Sequence, residues 1–361
     1  MFQERLTQLL EEMRVQGMGN CLVSDPNSIE YLTGYLTHPG ERLLLLNVAK
    51  DGQHQLYVNQ LFPLPQLAET LEIIVYKDGE PALEWLAQAL LAGKTGIDKY
   101  WPSHFLLTLW QAKPDLQPVN ASYIVDGMRA VKSKAEQELM RTASHLNDQA
   151  MESLIALVAE GLPESQMVAE LAQRYQELGC DGFSFEPIIA YGANGADPHH
   201  ETNDDTPQLG QSVVIDIGSS KDGYCSDMTR TVFYGEPDEE SRLVYETVRR
   251  AQAAAIAVVK PGVTFAEIDA AARDIITAAG YGEYFTHRTG HFIGREVHEA
   301  GDVSAYNHQV AQVGNIFSIE PGIYLPGKVG VRIEDLILVT EAGCEVLNQL
   351  SKELQVIQPK D

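Results

Sequence analysis

Hydrophobic and polar positions follow two different periods along the first third of the chain. Amphipathic segments with helical spacing are separated by short apolar runs, such as the leucine run at residues 43–46. This alternation predicts an α/β domain. The predicted helices cover residues 2–14, 28–32 and 81–91, and the predicted strands cover 20–23, 43–46, 55–58 and 73–76.

The rest of the chain predicts longer helices packed against a sheet. A polar stretch at 125–134 separates the two parts, and a chain of 361 residues is expected to form two domains. We assign them to residues 1–125 and 126–361, with an α/β (α+β) fold class overall. The predicted helices of the second domain cover 135–158, 163–178, 241–259 and 264–279, and its predicted strands comprise 188–190, two hairpins and 345–347.

The first predicted hairpin, residues 213–232, carries an acid in each apolar strand. Asp216 lies between isoleucines, and Asp227 follows the turn cluster at 219–223. A turn centred between residues 221 and 222 places these two acids opposite each other, which destabilises a sheet unless a cation lies between them. Arg230 belongs to the other face of its strand. The alternative is a turn cap and a solvated acid, which the flanking isoleucines disfavour for Asp216.

The second predicted hairpin, residues 315–340, repeats this arrangement. With Gly327 at the centre of its turn, Glu320 pairs with Glu334, although a bulge at Pro321 and Gly322 could shift the register by one residue. Two opposed acid pairs in one half of a chain indicate a shared cation site. Four carboxylates provide the oxygen-rich ligand set that divalent metals prefer.

Three histidines lie between the hairpins, in residues 287–302. The glycines at 290 and 294 argue against a helix there, and His291 and His298 are seven residues apart. Histidines in a polar loop are usually ordinary surface residues. Beside four converging carboxylates, however, His291 becomes a good fifth metal ligand.

These residues, in this order and at these gaps, resemble the five-ligand dinuclear site of the M24-type metallopeptidases with the pita-bread fold. This group includes methionine aminopeptidase, aminopeptidase P, Xaa-Pro dipeptidase (prolidase) and the metal-free creatinase. The matching motifs are DIGSSKDGYCSDMTRT, TGHFIGREVHE, SIEPGIYLPGKVGVRIED and PIIAYGANGADPHH. The resemblance implies a pita-bread catalytic domain, and it extends more weakly to a creatinase/prolidase-like N-terminal domain.

The resemblance implies two divalent metal ions per subunit, manganese foremost, with cobalt or zinc also compatible. Asp227 and Glu334 would bridge the ions, and Asp216 would complete the coordination of one of them. His291 and Glu320 would complete the other. A hydroxide bridging the metals would then attack the peptide carbonyl.

Three of the matching residues would carry the catalytic proton transfer and hydrogen bonding. Glu320 would move a proton from water to the departing nitrogen. His199 and His298 would donate hydrogen bonds to the tetrahedral oxyanion and to the residue after the cleaved bond. For His199, the alternative is a loop histidine beside Pro198.

The substrate is predicted to be a short proline-containing peptide. Arg295 lies between His291 and His298, where a guanidinium can bind the free carboxylate of a dipeptide; a solvated loop arginine is the alternative. Phe185 and Val297 match the family positions that line the proline pocket. Two further residues belong to this comparison. Phe292 replaces a common glycine and is expected to narrow that pocket. Arg332 matches an arginine beside the metals that holds a ligand carboxylate or touches substrate.

A loop of the N-terminal domain provides a weaker indication. In related prolidases it carries charged residues and closes over the active site of the neighbouring subunit. His38, Glu41 and Arg42 could act in this way here, and the family implies a homodimer. A plain turn containing Pro39 and Gly40 is the alternative.

Composition restricts the partners and the compartment. The formal net charge is −25, from 51 acidic and 26 basic residues, which argues against nucleic acid or an anionic membrane as partner. The N-terminus lacks the features of a secretory signal, and no apolar run is long enough for a membrane helix. The four cysteines are scattered and indicate no disulfide framework. We therefore expect a soluble cytoplasmic protein.

The prediction is an Xaa-Pro dipeptidase. The principal alternative is an aminopeptidase P that releases the N-terminal residue from longer Xaa-Pro peptides. A non-catalytic peptide-binding module is disfavoured because all five ligands are present, and the same observation argues against creatinase. Methionine aminopeptidases usually lack the whole N-terminal third.

Overall fold

The computed structural model of the chain describes residues 2–64 and 71–360. The chain divides into two units, Met1–Met128 and Arg129–Asp361. The polar stretch proposed as the domain boundary therefore lies close to this division. It is not a plain linker, however, because a helix over Ser122–Ala130 occupies its first half.

A mixed sheet forms the centre of the first unit, and the predicted helices and strands of this unit are all present. The strands are β1 (Met18–Val23), β2 (Leu45–Ala49), β3 (His54–Asn59), β4 (Leu71–Tyr76), β5 (Lys94–Ile97) and β6 (Gln117–Asn120). Their order in the sheet is β4-β3-β2-β1-β5-β6, with parallel pairing in β3–β4, β1–β5 and β5–β6.

Helices cover this sheet, and the second of them is capped at both ends. The second helix begins after Asp25, whose carboxylate accepts from the backbone N–H groups of Asn27 and Ser28, and ends at Gly34 with φ of 82°. The sequence analysis missed β5, β6 and the last two helices, because their apolar patterns are short or irregular. The helices are α1 (Phe2–Gln16), α2 (Pro26–Thr33), α3 (Ala82–Ala89), α4 (Ser103–Ala112) and α5 (Ser122–Ala130).

Four long helices of the second unit pack behind its sheets, as predicted. Two of them begin with a capping box, formed by Ser133 with Glu136 and by Thr264 with Glu267. The first two helices pack on strands around Val213 and Met228, and the last two pack on strands around Phe317 and Ile337. The helices are α6 (Lys134–Leu157), α7 (Glu164–Glu177), α8 (Glu239–Val258) and α9 (Phe265–Ala278).

The described strands of the second unit form four sheets. The first seven strands are β7 (Gly182–Phe183), β8 (Ile188–Tyr191), β9 (Gln211–Ile217), β10 (Ser219–Lys221), β11 (Tyr224–Cys225), β12 (Met228–Tyr234) and β13 (Gly290–Phe292). The others are β14 (Glu299–Val303), β15 (Ile316–Ile319), β16 (Gly322–Leu325), β17 (Val329–Arg332), β18 (Asp335–Thr340), β19 (Gly343–Val346) and β20 (Val356–Ile357). The strand orders in the four sheets are β11-β10-β7, β20-β12-β9-β8, β14-β13-β15-β18-β19 and β16-β17.

The predicted register of the first hairpin is wrong by two residues. Asp216 lies opposite Thr229, not opposite Asp227. Asp222 and Gly223, with φ of 51° and 75°, form the two-residue turn, and Lys221 pairs with Tyr224. Asp-Gly tolerates positive φ at both central positions, and such a turn matches the twist of the flanking strands. The turn is therefore centred one residue later than expected.

The predicted register of the second hairpin is confirmed. Leu325 pairs with Val329 across the turn at Gly327, and Ile319 pairs with Asp335 farther along. Both pairings belong to one register. The interruption of the strand at Pro321 therefore does not shift the pairing of the residues on either side of it. Glu320 and Glu334 lie between the two paired stretches and face each other in that register.

No helix within residues 2–64 and 71–360 combines the length and the apolar content that a bilayer crossing requires.

Candidate active site

A cavity of about 560 Å³ in the second unit contains all five predicted metal ligands. Its walls come from segments far apart in the chain, so only the folded sheets bring them together. Both predicted catalytic histidines also line it. The lining residues are Phe185, Ile188, Pro198, His199, Asp216, Asp227, His287, Arg288, His291, Val297, His298, Glu320, Arg332 and Glu334.

Each ligand candidate lies in a strand of the cavity wall or next to one. Asp216 is near the end of β9, and Asp227 directly precedes β12. His291 is the middle residue of β13. Glu320 follows β15, and Glu334 precedes β18. Asp216 is paired with strands on both sides, whereas Asp227, Glu320 and Glu334 lie between paired stretches and are free from the regular alternation of a strand. All four side chains line the same cavity.

The ligand atoms lie close enough together to hold an ion. Asp227, His291 and Glu334 each offer one atom within 4.8 Å of the other two. His291 Nε2 lies 3.5 Å from Asp227 Oδ2 and 3.4 Å from Glu320 Oε1. Its Nδ1 lies 3.2 Å from the carbonyl of Phe292, which can only accept, so Nδ1 is the donor there and Nε2 is the ring nitrogen that faces the acids and would bind a metal ion.

The buried acids resist ionising together. Burial raises the pKa of Asp227 to about 7, and burial together with neighbouring acids raises the pKa of Glu334 well above its usual range. Burial also raises the pKa of Asp216, although Arg332 opposes it. Burial works against ionisation of Glu320 as well, but His291 and other neighbouring cations hold its pKa below the usual value.

Three of these buried oxygens have no hydrogen-bond partner among the described residues: Asp216 Oδ1, Asp227 Oδ1 and Glu334 Oε1. A buried carboxylate oxygen without a donor is costly in a folded protein. A divalent cation would satisfy all three and would remove the repulsion among the acids. The residues present therefore fit a hard divalent metal ion, and oxygen with one imidazole is a suitable donor set.

A hydrogen-bonded chain supports the ligands from one side. Arg332 donates to Asp216, to Thr229 Oγ1 at 3.1 Å and to the Tyr324 hydroxyl at 2.9 Å. Thr229 Oγ1 donates in turn to Glu334 Oε2 at 2.7 Å. Arg332 thus holds the carboxylate of a candidate ligand, Asp216, and because it also lines the cavity, the substrate contact considered for it stays a prediction.

His287 lies at the end of this chain. Its Nδ1 is 2.7 Å from the Arg288 carbonyl, so that nitrogen is the donor and Nε2 accepts from the Tyr324 hydroxyl at 2.8 Å. Burial lowers the pKa of His287, which favours this neutral form. Sequence analysis passed over His287 and Arg288, although both lie within the three-histidine segment that it singled out.

His298 and His199 face the cavity from different segments. The His298 ring meets the His291 ring edge-on, with 4.3 Å between their centroids. Burial, with His291 and Arg288 nearby, lowers the pKa of His298 to about 4. His199 is exposed, and its backbone N–H donates to Asp197 Oδ1 at 3.0 Å. His200 lies 2.7 Å from the buried carboxylate of Glu164.

The two arginines near the cavity have different surroundings. Arg288 is exposed and lines the cavity. Arg295 is not one of the residues that line the cavity in the described part of the chain. Its guanidinium lies 5.3 Å from the centroid of the Tyr224 ring, beside Gly223. The structure therefore does not bring Arg295 together with the other predicted substrate contacts.

Phe185 and Val297 line the cavity as predicted for a proline pocket, and Ile188 joins them. Phe292 does not: its ring packs against Phe265 and Phe317 in the core behind β13. The expectation that Phe292 narrows the pocket is wrong, because its strand turns this side chain to the opposite face from His291.

His38 and Arg42 lie in the first unit. His38 is exposed, and Arg42 donates to Asp78 at 2.8 Å and to Glu41 at 2.8 Å. Their role towards a neighbouring subunit stays a prediction of the resemblance.

Comparison with known proteins identifies this arrangement. Residues 138–341 match metallopeptidase family M24, and residues 5–131 match the creatinase/prolidase N-terminal domain. The chain belongs to metallopeptidase family M24. The predicted fold, an N-terminal creatinase-like domain followed by an M24 pita-bread domain, is thereby confirmed, as is the prediction of a metallopeptidase.

Individual relatives of this M24 peptidase match it over nearly the whole chain. A protein of Staphylococcus saprophyticus, described as an uncharacterized peptidase, is 37% identical over 96% of this chain and 100% of its own. The dipeptidase PepE of Mycobacterium ulcerans is 34% identical with a TM-score of 0.93, covering 99% of this chain and 98% of its own. The Xaa-Pro dipeptidase of Bacillus anthracis is 30% identical with a TM-score of 0.90, covering 99% and 100%.

Proposed function

We propose that this M24 peptidase hydrolyses Xaa-Pro dipeptides with the help of two divalent metal ions. One observation carries the proposal. A single cavity contains five candidate ligands, three of them with buried oxygens that have no partner among the described residues, next to two histidines and an apolar wall. The similar structures of dipeptidases and of an Xaa-Pro dipeptidase support the substrate class.

The proposed ligands are Asp216, Asp227, His291, Glu320 and Glu334. Bound divalent ions supply Lewis acidity, and they lower the pKa of water so that hydroxide is available near neutral pH. Manganese is the first ion to test, followed by cobalt and zinc. The chain's own part is to hold the ligand atoms in place, which Arg332 and Thr229 do through their hydrogen bonds to Asp216 and Glu334.

The chain's residues also handle the protons and the developing charge. Glu320 Oε1 accepts from Ser318 at 2.9 Å, and we assign proton transfer from water to the leaving nitrogen to the other oxygen, Oε2. His298 and His199 face the same space, where their ring N–H groups donate to the carbonyl oxygen as it gains charge.

Proline preference follows from the apolar wall. An Xaa-Pro bond is a tertiary amide without an N–H group, so a site that relies on that donor gains nothing from it. The pyrrolidine ring needs an apolar surface instead. Phe185, Ile188 and Val297 provide one in the cavity.

Selection for dipeptides requires a cation that binds the free carboxylate near the scissile bond. Both Arg288 and Arg295 are close in sequence to the catalytic histidines, but only Arg288 lines the cavity among the described residues. We therefore assign the carboxylate to Arg288 in preference to Arg295. A longer peptide would leave this guanidinium without its charged partner, which weakens its binding.

The first experiment compares matched Xaa-Pro and Xaa-Pro-Yaa peptides after chelation, with and without added Mn²⁺. We expect hydrolysis only with the ion and a preference for the dipeptide. Equal rates on both peptides would support aminopeptidase P activity instead. Asp227→Asn should abolish ion binding and activity together, whereas Asp222→Asn, which removes a charge from the turn of the same hairpin, should change neither.

A matched pair of variants tests the arginine assignment. Replacing Arg288 by Leu should reduce the ratio of dipeptide to tripeptide kcat/KM by roughly 10- to 100-fold, the value of a charge-assisted bidentate contact. Replacing Arg295 by Leu should leave the ratio nearly unchanged. The reverse result would return the role to Arg295, and an unchanged ratio in both variants would remove the argument for a dipeptidase.

The family resemblance also supports a homodimer, which light scattering would test.

A further inference from the structure

A short segment between β13 and β14, residues 293–299, carries Val297 and His298 into the cavity wall. It has little regular structure of its own, yet its side chains must be placed accurately for catalysis. Cys225 ties its backbone to the first hairpin: the Cys225 N–H donates to the Gly294 carbonyl at 2.7 Å, and Cys225 Sγ donates to the Arg295 carbonyl at 3.6 Å. The main anchor is a buried ion cluster at its end.

Glu299 is the centre of that cluster. Its carboxylate accepts from Arg129 Nη2 at 2.7 Å and Nε at 3.1 Å, and from Lys132 Nζ at 2.9 Å. It also accepts from the backbone N–H of Arg295 at 3.0 Å, which closes the segment on itself. The side chains of Glu299, Arg129 and Lys132 are only 4%, 5% and 2% exposed. Buried charges of this kind are stable only with complete pairing.

A second acid extends the cluster. Glu296 accepts from Arg129 Nη2 at 2.6 Å, so one guanidinium holds two acids of the same segment. The cluster thus contains two cations and two anions. Gly294 is required for this packing, because a Cβ atom there would lie 2.8 Å from both carboxylate oxygens of Glu299. Residues 296 and 299 are therefore anchored, while Val297 and His298 between them face the cavity.

We propose that Glu299, held by Arg129 and Lys132, is a positioning residue that sets where His298 stands relative to the metal ligands and the substrate. The inference rests on the proposed function of the cavity, but it concerns a different set of residues. Glu299 directly follows His298, so a displacement of its carboxylate moves the histidine. Displacements of about 1 Å can cost roughly 100-fold in rate.

The test replaces Glu299 by Gln, which keeps the shape and removes the charge, and Lys132 by Met and by Arg. The control is Glu345→Gln, which breaks the ion pair of Arg141 with Glu345, at 2.7 and 2.8 Å, between α6 and β19. For each variant we would measure kcat and KM well below the melting temperature, the metal stoichiometry, and the imidazole ¹H–¹⁵N resonances of His298. The substrate is the peptide that wild type cleaves best from a panel with and without proline.

We expect Glu299→Gln and Lys132→Met to lower kcat/KM by roughly 10- to 100-fold with unchanged metal content. The His298 resonances should shift in both, and Lys132→Arg should restore most of the activity because it restores the cation. Glu345→Gln should behave like wild type. If Glu299→Gln does not fold, the comparison of Lys132→Met with Lys132→Arg decides.

The proposal would be overturned if Glu299→Gln or Lys132→Met kept the kcat, the KM and the His298 resonances of the wild type. The cluster would then have only a structural role, whatever the melting temperatures of these variants. An equal loss in the Glu345→Gln control would overturn it too. A wild-type enzyme that prefers peptides without proline would contradict the proposed specificity only, since the variants are compared on whichever peptide it cleaves.

Discussion

Buried acids occur in two opposite settings in the second unit of this M24 peptidase. Asp335 is paired with Arg230 at 2.7 Å and Gln252 at 2.8 Å, and also bonds Lys352. Its neighbour Glu334 lies in the cavity with one oxygen that has no partner in the described chain. Consecutive residues thus serve different purposes.

The difference in hydrogen bonding separates buried acids that stabilise the fold from buried acids that are available to bind a ligand. Folding tolerates a buried carboxylate when donors surround it, as they surround Asp335 and Glu299. The compensation is incomplete for Asp216, Asp227 and Glu334, because one oxygen of each has no hydrogen-bond partner in the described part of the chain, and their mutual repulsion opposes folding. An uncompensated cluster of this kind therefore indicates a functional site.

The largest effect should come from a cavity acid. Asp227→Asn removes a candidate bridging ligand, so peptidase activity should fall by more than the roughly 10- to 100-fold that loss of an outer partner costs. Metal analysis should find that ion binding is lost as well. The same variant without metal should be no less stable than wild type without metal, because the substitution removes repulsion. Full metal content with full activity would contradict the site.

Removal of a paired acid should instead damage the fold. Asp335→Ala leaves the buried guanidinium of Arg230 without its anionic partner, and breaking such a pair costs about 3–5 kcal/mol. Urea unfolding of the metal-free protein would measure this loss. A loss below that caused by Asp227→Asn would mean that the two settings are not different in energy.

Low pH should destabilise the protein by protonating Glu299, one of the paired buried acids. Burial opposes its ionisation, but Lys132 and Arg129 outweigh burial and lower its pKa to about 2, from the usual 4.5. A lowered pKa contributes stability that is complete above the ordinary value and is lost as the pH falls from 4.5 through 2. The contribution is about 3 kcal/mol. Unfolding free energy should therefore fall less steeply below pH 4.5 in Glu299→Gln than in wild type.

A bound metal ion should stabilise the folded protein through the acids with unpaired oxygens, Asp216, Asp227 and Glu334. An ion that binds only the folded chain at a hundred times its dissociation constant adds about 2.7 kcal/mol. Chelation should lower the melting temperature of wild type by a corresponding amount and leave that of Asp227→Asn nearly unchanged. An equal shift in both proteins would mean that the ion acts elsewhere.

The smallest effect should come from a surface pair. Arg141 and Glu345 are 31% and 39% exposed, so their pair is largely screened by water. Glu345→Gln should cost about 0–1 kcal/mol, with unchanged activity. A loss as large as that of Asp335→Ala would show that exposure does not separate the two kinds of pairing.

Much of the fold was predictable because the periodicity of long elements is strong. The four long helices of the second unit and the register around Gly327 follow directly from apolar spacing and turn residues. The short strand β5 and the helix α4 carry too little pattern to be recognised. The first hairpin was misplaced because either of two adjacent turn centres suits the cluster at 219–223, and only the pairing of Lys221 with Tyr224 decides between them.

The sequence by itself determined the residue types of the site. Acids inside apolar strands and a histidine between the hairpins were visible without coordinates, because burial of an unpaired charge is costly wherever it occurs. Only the tertiary structure decided which charges are paired. It separates Glu334 from its neighbour Asp335, brings Arg288 to the cavity and Arg295 to Tyr224, and joins Glu299 to Arg129 and Lys132 across more than half of the second unit's sequence. Such partners are distant in the chain, and local pattern carries no information about them.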